Sequence, residues 1–219
     1  MNISICITTK NRTKLSHKGK ILNLFTNSVE SIIDSFKDTP HEFEIVIYDW
    51  SSTDTDYSWL PKESKVLVDE RTDVFSRGYG LNKAAEESSY ENLLFLDTDM
   101  LINKSFILNC VSILENNSVY FPICWSLIEK HANLSKESLG NDELYKDSTI
   151  YFHNRNSGWR RTGYGMSCMR KSVWEDVGKI NVYWKWGNED SDFHNSIQKK
   201  GYDIVRKNDC GLVHQWHPS

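Results

Sequence analysis

The amino-acid sequence predicts an α/β fold in which helices flank a mainly parallel sheet. Short apolar runs bounded by polar turns recur along the chain, as in ISICIT, EIVIYD, KVLVD, NLLFLD and GLVH. Helical spacing of apolar residues lies between several of these runs, and strands that alternate with helices are typical of parallel sheets. In such sheets ligands bind beyond the carboxyl ends of the strands.

Helical periodicity is clearest in two segments. The first has apolar residues at Leu22, Phe25, Val29, Ile32, Ile33 and Phe36. The second follows Asn103, a residue type that caps helix N-termini. Its apolar residues are Phe106, Ile107, Cys110, Val111 and Leu114. Two further helices are predicted, one from Lys171 to Gly178 and one from Glu189 to Gly201, because glycine commonly ends a helix.

Residues 125–161 have no clear period and many polar side chains. We expect a long surface excursion here, which would serve as a lid or as an acceptor-binding loop.

Composition narrows the class of protein. The chain has 219 residues, of which 39% are hydrophobic, so a single domain with a sizeable core is expected. The net charge of -4 gives no basic surface for nucleic acid. The five cysteines form no CxxC pair, which favours buried thiols in a reducing compartment. We see no signal peptide and no apolar run long enough to span a membrane, so a soluble cytoplasmic protein is expected.

Polar residues that follow the predicted strands define a functional rim. It consists of Thr8 to Arg12, Asp49 to Ser52 and Asp97 to Asp99. Asp97 and Asp99 follow the apolar strand Leu93 to Leu96, where mutual repulsion and desolvation disfavour two carboxylates. Mn²⁺ or Mg²⁺ bound to a diphosphate would neutralise them, since both ions take oxygen ligands from carboxylates and phosphates. An ordinary strand-end turn is the alternative.

A second candidate site is the segment YWKWGNEDSDF, residues 183–193. Acidic residues at a helix start are favoured by the helix dipole, which accounts for Asp190 and Asp192. The helix dipole does not account for Trp184 and Trp186. Indole rings beside a carboxylate are typical of sugar sites. His214 ends another predicted strand and is a candidate metal ligand, and His217 is a weaker one.

The order of these motifs resembles that of GT-A fold glycosyltransferases. The motifs are TTKNR, FSRGYGLN, FLDTDM, GYGMSCMRKSVWEDVGKI, YWKWGNEDSDF and VHQWH. The sequence is most similar to the β-1,4-galactosyltransferase and chondroitin-type N-acetylgalactosaminyltransferase group, from Ile5 to His217. The resemblance implies one GT-A domain over residues 1–219, with a nucleotide-binding half (1–100) and an acceptor-binding half (101–219).

The resemblance also implies a role for each matching residue. The donor-binding residues would be Thr8, Arg12, Asp49, Phe75, Arg77, Asp97 and Trp186. Asp99 and His214 would bind the metal, Glu189 would contact the acceptor and Asp190 would be the catalytic base. Two positions depart from the family pattern: Asn188 replaces a glycine before the acidic pair, and Gly211 replaces a methionine ligand.

The implied reaction is inverting, metal-dependent transfer of a hexose or N-acetylhexosamine from a nucleotide sugar to a glycan hydroxyl. Uridine is the favoured base of the nucleotide. Thr162 aligns with a bulkier residue of galactose-specific members, which predicts room for an N-acetyl group. Two alternatives remain. One is a phosphohydrolase of the haloacid dehalogenase type, which also has a DxD at a strand end. The other is a nucleotide-sugar-binding module without turnover.

Overall fold

A computed structural model describes residues 1–134, 139, 145, 149–151, 156–184 and 187–218. The strands in this part of the chain are β1 (Ile3–Thr9), β2 (Leu15–His17), β3 (Lys20–Leu22), β4 (Phe43–Asp49), β5 (Ser64–Val68), β6 (Asn92–Phe95), β7 (Met100–Ile102), β8 (Val119–Tyr120), β9 (Ile123–Ser126), β10 (Gly158–Trp159), β11 (Ser167–Arg170), β12 (Ile204–Val205) and β13 (Asn208–His214). The helices are α1 (Leu24–Phe36), α2 (Arg77–Glu86), α3 (Lys104–Glu115), α4 (Lys171–Asp176) and α5 (Glu189–Lys199), with a 3₁₀ helix at Glu129–Leu134.

The larger sheet confirms the predicted α/β class. Its strand order is β12-β8-β11-β6-β1-β4-β5. Strands β6, β1, β4 and β5 are mutually parallel, whereas β11 runs antiparallel to both β6 and β8. The register pairs Thr9 of β1 with Asp49 of β4, so both strands end at the same edge.

Both faces of this sheet are buried, because the alternating side chains of β1 enter two different clusters. Ile3, Ile5 and Ile7 pack with the apolar residues of α1 and α3. Cys6 packs on the other face, with apolar residues of α2, α4 and α5. Continuous apolar runs such as ISICIT are expected for strands that are covered on both sides.

A second sheet, with the order β10-β9-β13-β7, was not foreseen. It covers a third apolar cluster that includes Trp125, Leu127 and Trp159. The prediction of a surface excursion over residues 125–161 is therefore wrong at both ends, where these side chains are buried. Trp125 and Trp159 belong to paired strands, and the ring contact between them fixes the two ends together.

The predicted helices are confirmed with small shifts of their ends. The Asn103 side chain accepts a hydrogen bond from the Phe106 N–H and caps α3 as expected. Helix α1 begins at Leu24, because Leu22 pairs with Leu15 in the β2–β3 hairpin instead. Helix α2 was not predicted. No helix in the described ranges combines the length and apolar character that crossing a bilayer requires.

Replacing Gly80 by alanine should destabilise the fold, because α2 touches β1 at this position. An added Cβ would overlap the Thr8 hydroxyl and lie 3.0 Å from Trp50 Nε1. Overpacking of this kind costs about 1–3 kcal/mol, which exceeds the gain of about 1 kcal/mol in helix propensity. A lower urea midpoint with an unchanged slope would show it. Lys83→Ala on the exposed side of α2 is the control, and an equal midpoint for both variants would contradict the close contact.

Candidate active site

Three strand ends form the rim that the sequence predicts. The carboxyl ends of β1 and β4 are in register, and the Leu96 N–H donates to the Cys6 carbonyl at 3.1 Å. Asp97 therefore leaves the sheet beside the last residues of β1. The segments after β1, β4 and β6 lie at one edge, as expected for ligand binding in parallel sheets.

The two aspartates of the DxD motif have different partners. The Arg77 Nε donates to Asp97 Oδ1 at 2.8 Å, and the same guanidinium donates to the Gly165 carbonyl at 2.5 Å. Arg77 Nη1 also lies 3.8 Å from Glu189 Oε1. Burial raises the pKa of the Asp97 carboxyl; Arg77 opposes this shift and Asp99 adds to it. Arg77 thus links the end of β6 to the start of α5.

Asp99 instead faces two histidines. Its Oδ2 lies 3.0 Å from His217 Nε2 and 3.7 Å from His214 Nε2. Burial alone would raise the pKa of Asp99, but His214, His217 and Arg12 together hold it well below its usual range. Burial lowers the pKa of His214 to about 4. The weaker sequence candidate, His217, is therefore the closer of the two histidines to Asp99.

This cluster has the chemistry of a metal site. One ligand atom from each of Asp99, His214 and His217 can be chosen so that all three lie within 4.8 Å of one another. Asp99 Oδ1 is buried and has no hydrogen-bond partner among the described residues, which leaves a lone pair for a cation. Imidazole nitrogens suit transition metals and carboxylate oxygens suit Mg²⁺ and Mn²⁺, so the mixed set fits a divalent metal ion.

Asp190 lies in the first turn of α5, and its carboxylate is held by backbone groups. Oδ2 accepts from the Tyr164 N–H at 2.9 Å, and Oδ1 accepts from the Ser191 N–H at 2.8 Å. Asp192 instead accepts from the Tyr183 hydroxyl at 2.6 Å. A purely structural role at the helix start therefore fits Asp192 well. Asp190 instead links α5 to the segment before β11.

The turn before α5 explains why asparagine can stand at position 188. Gly187 and Asn188 have φ values of 114° and 73°. Asparagine is enriched among the few non-glycine residues that adopt the left-handed region, so it can take this conformation in place of a glycine. Trp186, predicted to contact donor and acceptor, lies outside the described residues.

A stack of three side chains supports the segment that holds Asp190. The Tyr164 ring packs on the His194 ring, with a centroid distance of 4.0 Å, and the Arg206 guanidinium lies 4.4 Å from the Tyr164 centroid. Arg206 also donates to the carbonyls of Arg161 and Gly163, at 2.7 and 3.0 Å. No sequence pattern indicates this stack, because its members come from three separate segments.

An aromatic cluster surrounds a cation near the carboxyl end of β4. The rings of Trp50, Tyr79 and Trp184 surround the Arg71 guanidinium, at 4.9–5.3 Å from their centroids. Arg71 is held in turn by a bidentate ion pair with Asp69. Sequence reasoning found Trp184 and missed the other members of the cluster. An aromatic residue directly after Asp49 was the one available signal.

The other predicted donor-binding residues lie at the same edge. The Thr8 hydroxyl accepts from Trp50 Nε1 at 3.0 Å and donates to the Tyr48 carbonyl at 3.2 Å. The Asp49 carboxylate accepts from the Ser52 N–H and hydroxyl. Phe75 is 37% exposed and its centroid lies 5.9 Å from that of Trp50. Arg12 is half-buried near Asp99. The roles of these residues remain predictions.

The larger sheet, its acidic rim and the acidic start of α5 give the chain the architecture of the GT-A fold. Solved structures with this fold include residues 1–349 of S. aureus TarS in complex with UDP-GlcNAc, with a TM-score of 0.68 at 18% identity; the match covers 100% of this chain and 60% of that one. Another is the mannosyltransferase PcManGT from Pyrobaculum calidifontis in complex with GDP-Man and Mn²⁺, with a TM-score of 0.60 at 16% identity, covering 97% of this chain and 56% of that one.

The chain belongs to the chondroitin N-acetylgalactosaminyltransferase family, which it matches over residues 18–219. It is 30% identical to chondroitin sulfate synthase 3 of Homo sapiens over 161 residues, 72% of this chain and 18% of that protein. It is 29% identical to chondroitin sulfate N-acetylgalactosaminyltransferase 2 of Mus musculus over 160 residues, 69% of this chain and 28% of that protein. The chain thus spans less than a third of either relative.

Proposed function

We propose that this chain catalyses inverting, metal-dependent transfer of an N-acetylhexosamine from a UDP-sugar to a glycan hydroxyl. The observation that carries the proposal is the link made by Arg77. It joins Asp97, beside the candidate metal cluster, to Glu189, beside the candidate base, with nitrogen–oxygen distances of 2.8 and 3.8 Å. One side chain therefore sets the spacing between a donor site and an acceptor site.

Asp99, His214 and His217 are the residues that would hold Mn²⁺. The bound ion would supply charge neutralisation for the diphosphate leaving group. The two imidazoles and the carboxylate come from segments that β7 and β13 bring together by pairing Met100 with His214. The donor half of the site would then lie over residues 1–100, where Arg12, Asp49, Phe75 and Asp97 line the rim.

Asp190 is the residue that we assign as the base. A carboxylate offers about four acceptor positions, and the N–H groups of Tyr164 and Ser191 take two of them. Lone pairs remain for the acceptor hydroxyl, whose proton would pass to Asp190 as its oxygen attacks the anomeric carbon. Glu189 lies next to it in the first turn of α5 and would orient the acceptor, within the half formed by residues 101–219.

We place this reaction in the cytoplasm. The support is that Cys6, Cys110, Cys124 and Cys168 are buried free thiols, which suits a reducing compartment. Burial raises the pKa of Cys6 to about 12 and that of Cys124 to about 11, so neither thiol is readily reactive.

A panel of donors tests the proposed function. With Mn²⁺ and a common glycan acceptor, UDP-GalNAc or UDP-GlcNAc should be used in preference to UDP-Gal, UDP-Glc and GDP-sugars. Thr162 is exposed. Because threonine is smaller than the aligned residue of galactose-specific members, it would leave room for an N-acetyl group and offer a hydroxyl to it. One such group is worth about 1–3 kcal/mol, about 10–200-fold in kcat/KM. The readout is released UDP together with glycosylated acceptor.

The outcome would distinguish the alternatives. A clear preference for an unsubstituted hexose or a guanosine donor would show that the assignment of Thr162 is wrong. Release of phosphate from simple phosphomonoesters would favour a phosphohydrolase of the haloacid dehalogenase type. That chemistry needs Asp97 as a nucleophile, but its Oδ1 accepts from Arg77 at 2.8 Å. Donor binding without transfer or hydrolysis would favour a non-catalytic module.

A further inference from the structure

Arg160 is a cation of the site that neither the sequence motifs nor the proposed roles include. It follows β10, and its N–H donates to the Cys124 carbonyl at 2.9 Å, which extends the pairing of β10 with β9 by one residue. Trp159 enters the third apolar cluster, together with Val213 of β13. Because side chains alternate along a strand, Arg160 and His214, which follow these residues, project to the other face of the second sheet.

That face borders the acidic rim. Cys124 and Leu212 on it pack in the cluster that also contains Leu96, which directly precedes Asp97. The charge of Arg160 acts on this region. It opposes the rise that burial causes in the pKa of Asp97 and of Cys124, and it adds to the fall that burial causes in the pKa of His214. Arg160 therefore lies between the carboxyl end of β6 and the histidine end of β13.

The guanidinium of Arg160 is available for a ligand. It is half-buried and lies 5.2 Å from the centroid of the Tyr151 ring. None of the residues that the structure describes accepts a hydrogen bond from its side chain. A planar guanidinium whose donors are free is suited to bidentate binding of a phosphate.

Arg77 is not free in this way. Its donors are directed at Asp97, at the Gly165 carbonyl and towards Glu189, so its charge is matched by the protein's own carboxylates. Two other cations could bind the diphosphate from different sides. They are Arg12, on the segment after β1, and Arg160, on the second sheet. Arg12 lies towards the nucleotide half and Arg160 towards the acceptor half.

We propose that Arg160 binds the β-phosphate of the donor, the phosphate that carries the sugar. The proposal rests on the proposed function. As the acceptor oxygen bonds to the anomeric carbon, the bond from that carbon to the β-phosphate oxygen breaks, and the electron pair stays on the phosphate. The acceptor proton passes to Asp190. Arg160 stabilises the negative charge that grows on the departing oxygen.

Binding of UDP and UMP to the full chain tests this assignment. Isothermal titration calorimetry on wild type, Arg160→Gln and Arg160→Lys, with Mn²⁺ and again with EDTA, would give each affinity. Arg160→Gln should weaken UDP binding by about 10–100-fold, as expected for lost charged hydrogen bonds, and leave UMP binding unchanged. Arg160→Lys keeps the charge and should recover part of the UDP affinity. Lys207→Gln, an exposed charge paired with Asn109, is the control and should bind UDP as wild type does.

Three outcomes would overturn the proposal for Arg160 alone. They are unchanged UDP affinity in Arg160→Gln, equal losses for UDP and UMP, and a raised acceptor KM with normal UDP binding, which would move Arg160 to the acceptor site. Equal urea midpoints for the variants would show that the fold is intact. If the wild-type chain bound neither nucleotide, the donor site of the proposed function would be wrong and the role of Arg160 with it.

Discussion

Asp190→Asn should slow sugar transfer by about 10²–10⁴-fold while donor binding stays close to wild type. Asparagine has the same shape, and its amide oxygen can still accept from the Tyr164 N–H. It cannot take a proton from the acceptor hydroxyl, so the loss falls on kcat. Steady-state transfer rates and calorimetric affinity for the UDP-sugar would separate the two effects.

Asp192→Asn is the matched control, because Asp192 lies in the same turn of α5 but is bonded to the Tyr183 hydroxyl. Its transfer rate should change far less than that of Asp190→Asn. A normal rate in Asp190→Asn would show that another group is the base.

Asp99→Ala should weaken binding of Mn²⁺ and of UDP together. The ion would bridge the protein and the diphosphate, so each ligand depends on the other. Loss of this charge neutralisation removes several kcal/mol of transition-state stabilisation, and about 3–4 kcal/mol corresponds to about 10²–10³-fold in transfer rate. Calorimetric titration of Mn²⁺ and UDP, separately and together, would measure the coupling.

Asp176→Ala is the control for Asp99→Ala, since that carboxylate pairs with Lys200 at an exposed position. It should leave both affinities unchanged. The metal assignment would be refuted by a crystal structure with UDP and Mn²⁺ in which neither Asp99 nor His214 lies within coordination distance of the ion.

The central strands and most helices could be predicted because their signals are local. The apolar run from Leu93 to Leu96 and the cap at Asn103 each depend on a few adjacent residues, and the structure confirms both. The second sheet could not be predicted in this way. Its strands are short and pair across long stretches of chain, as Trp125 does with Trp159, and this pairing leaves no periodic pattern in any one segment.

The candidate site also combines features that the sequence predicts with features that it does not. Asp97, Asp99 and His214 follow apolar runs, so their position at strand ends could be predicted from the sequence. The side chains that each of them contacts could not be predicted. Arg77 is directed at Asp97, and His217 is closer to Asp99 than His214 is, because of how separate segments pack. Indole rings beside a carboxylate indicated a sugar site at Trp186, and the resemblance supplied its contacts with donor and acceptor.

The place of β13 has a consequence for how the protein is made. It is the last strand in chain order among the described residues, yet it lies between β9 and β7 and pairs with both. Before β13 emerges from the ribosome, those two strands expose unpaired edges, which are prone to pair with other chains. His214 ends β13, so the histidines reach Asp99 only when this strand is inserted. A nascent chain that has already completed the larger sheet would therefore keep these edges open, and Asp99 would gain its two histidine neighbours only when β13 is inserted.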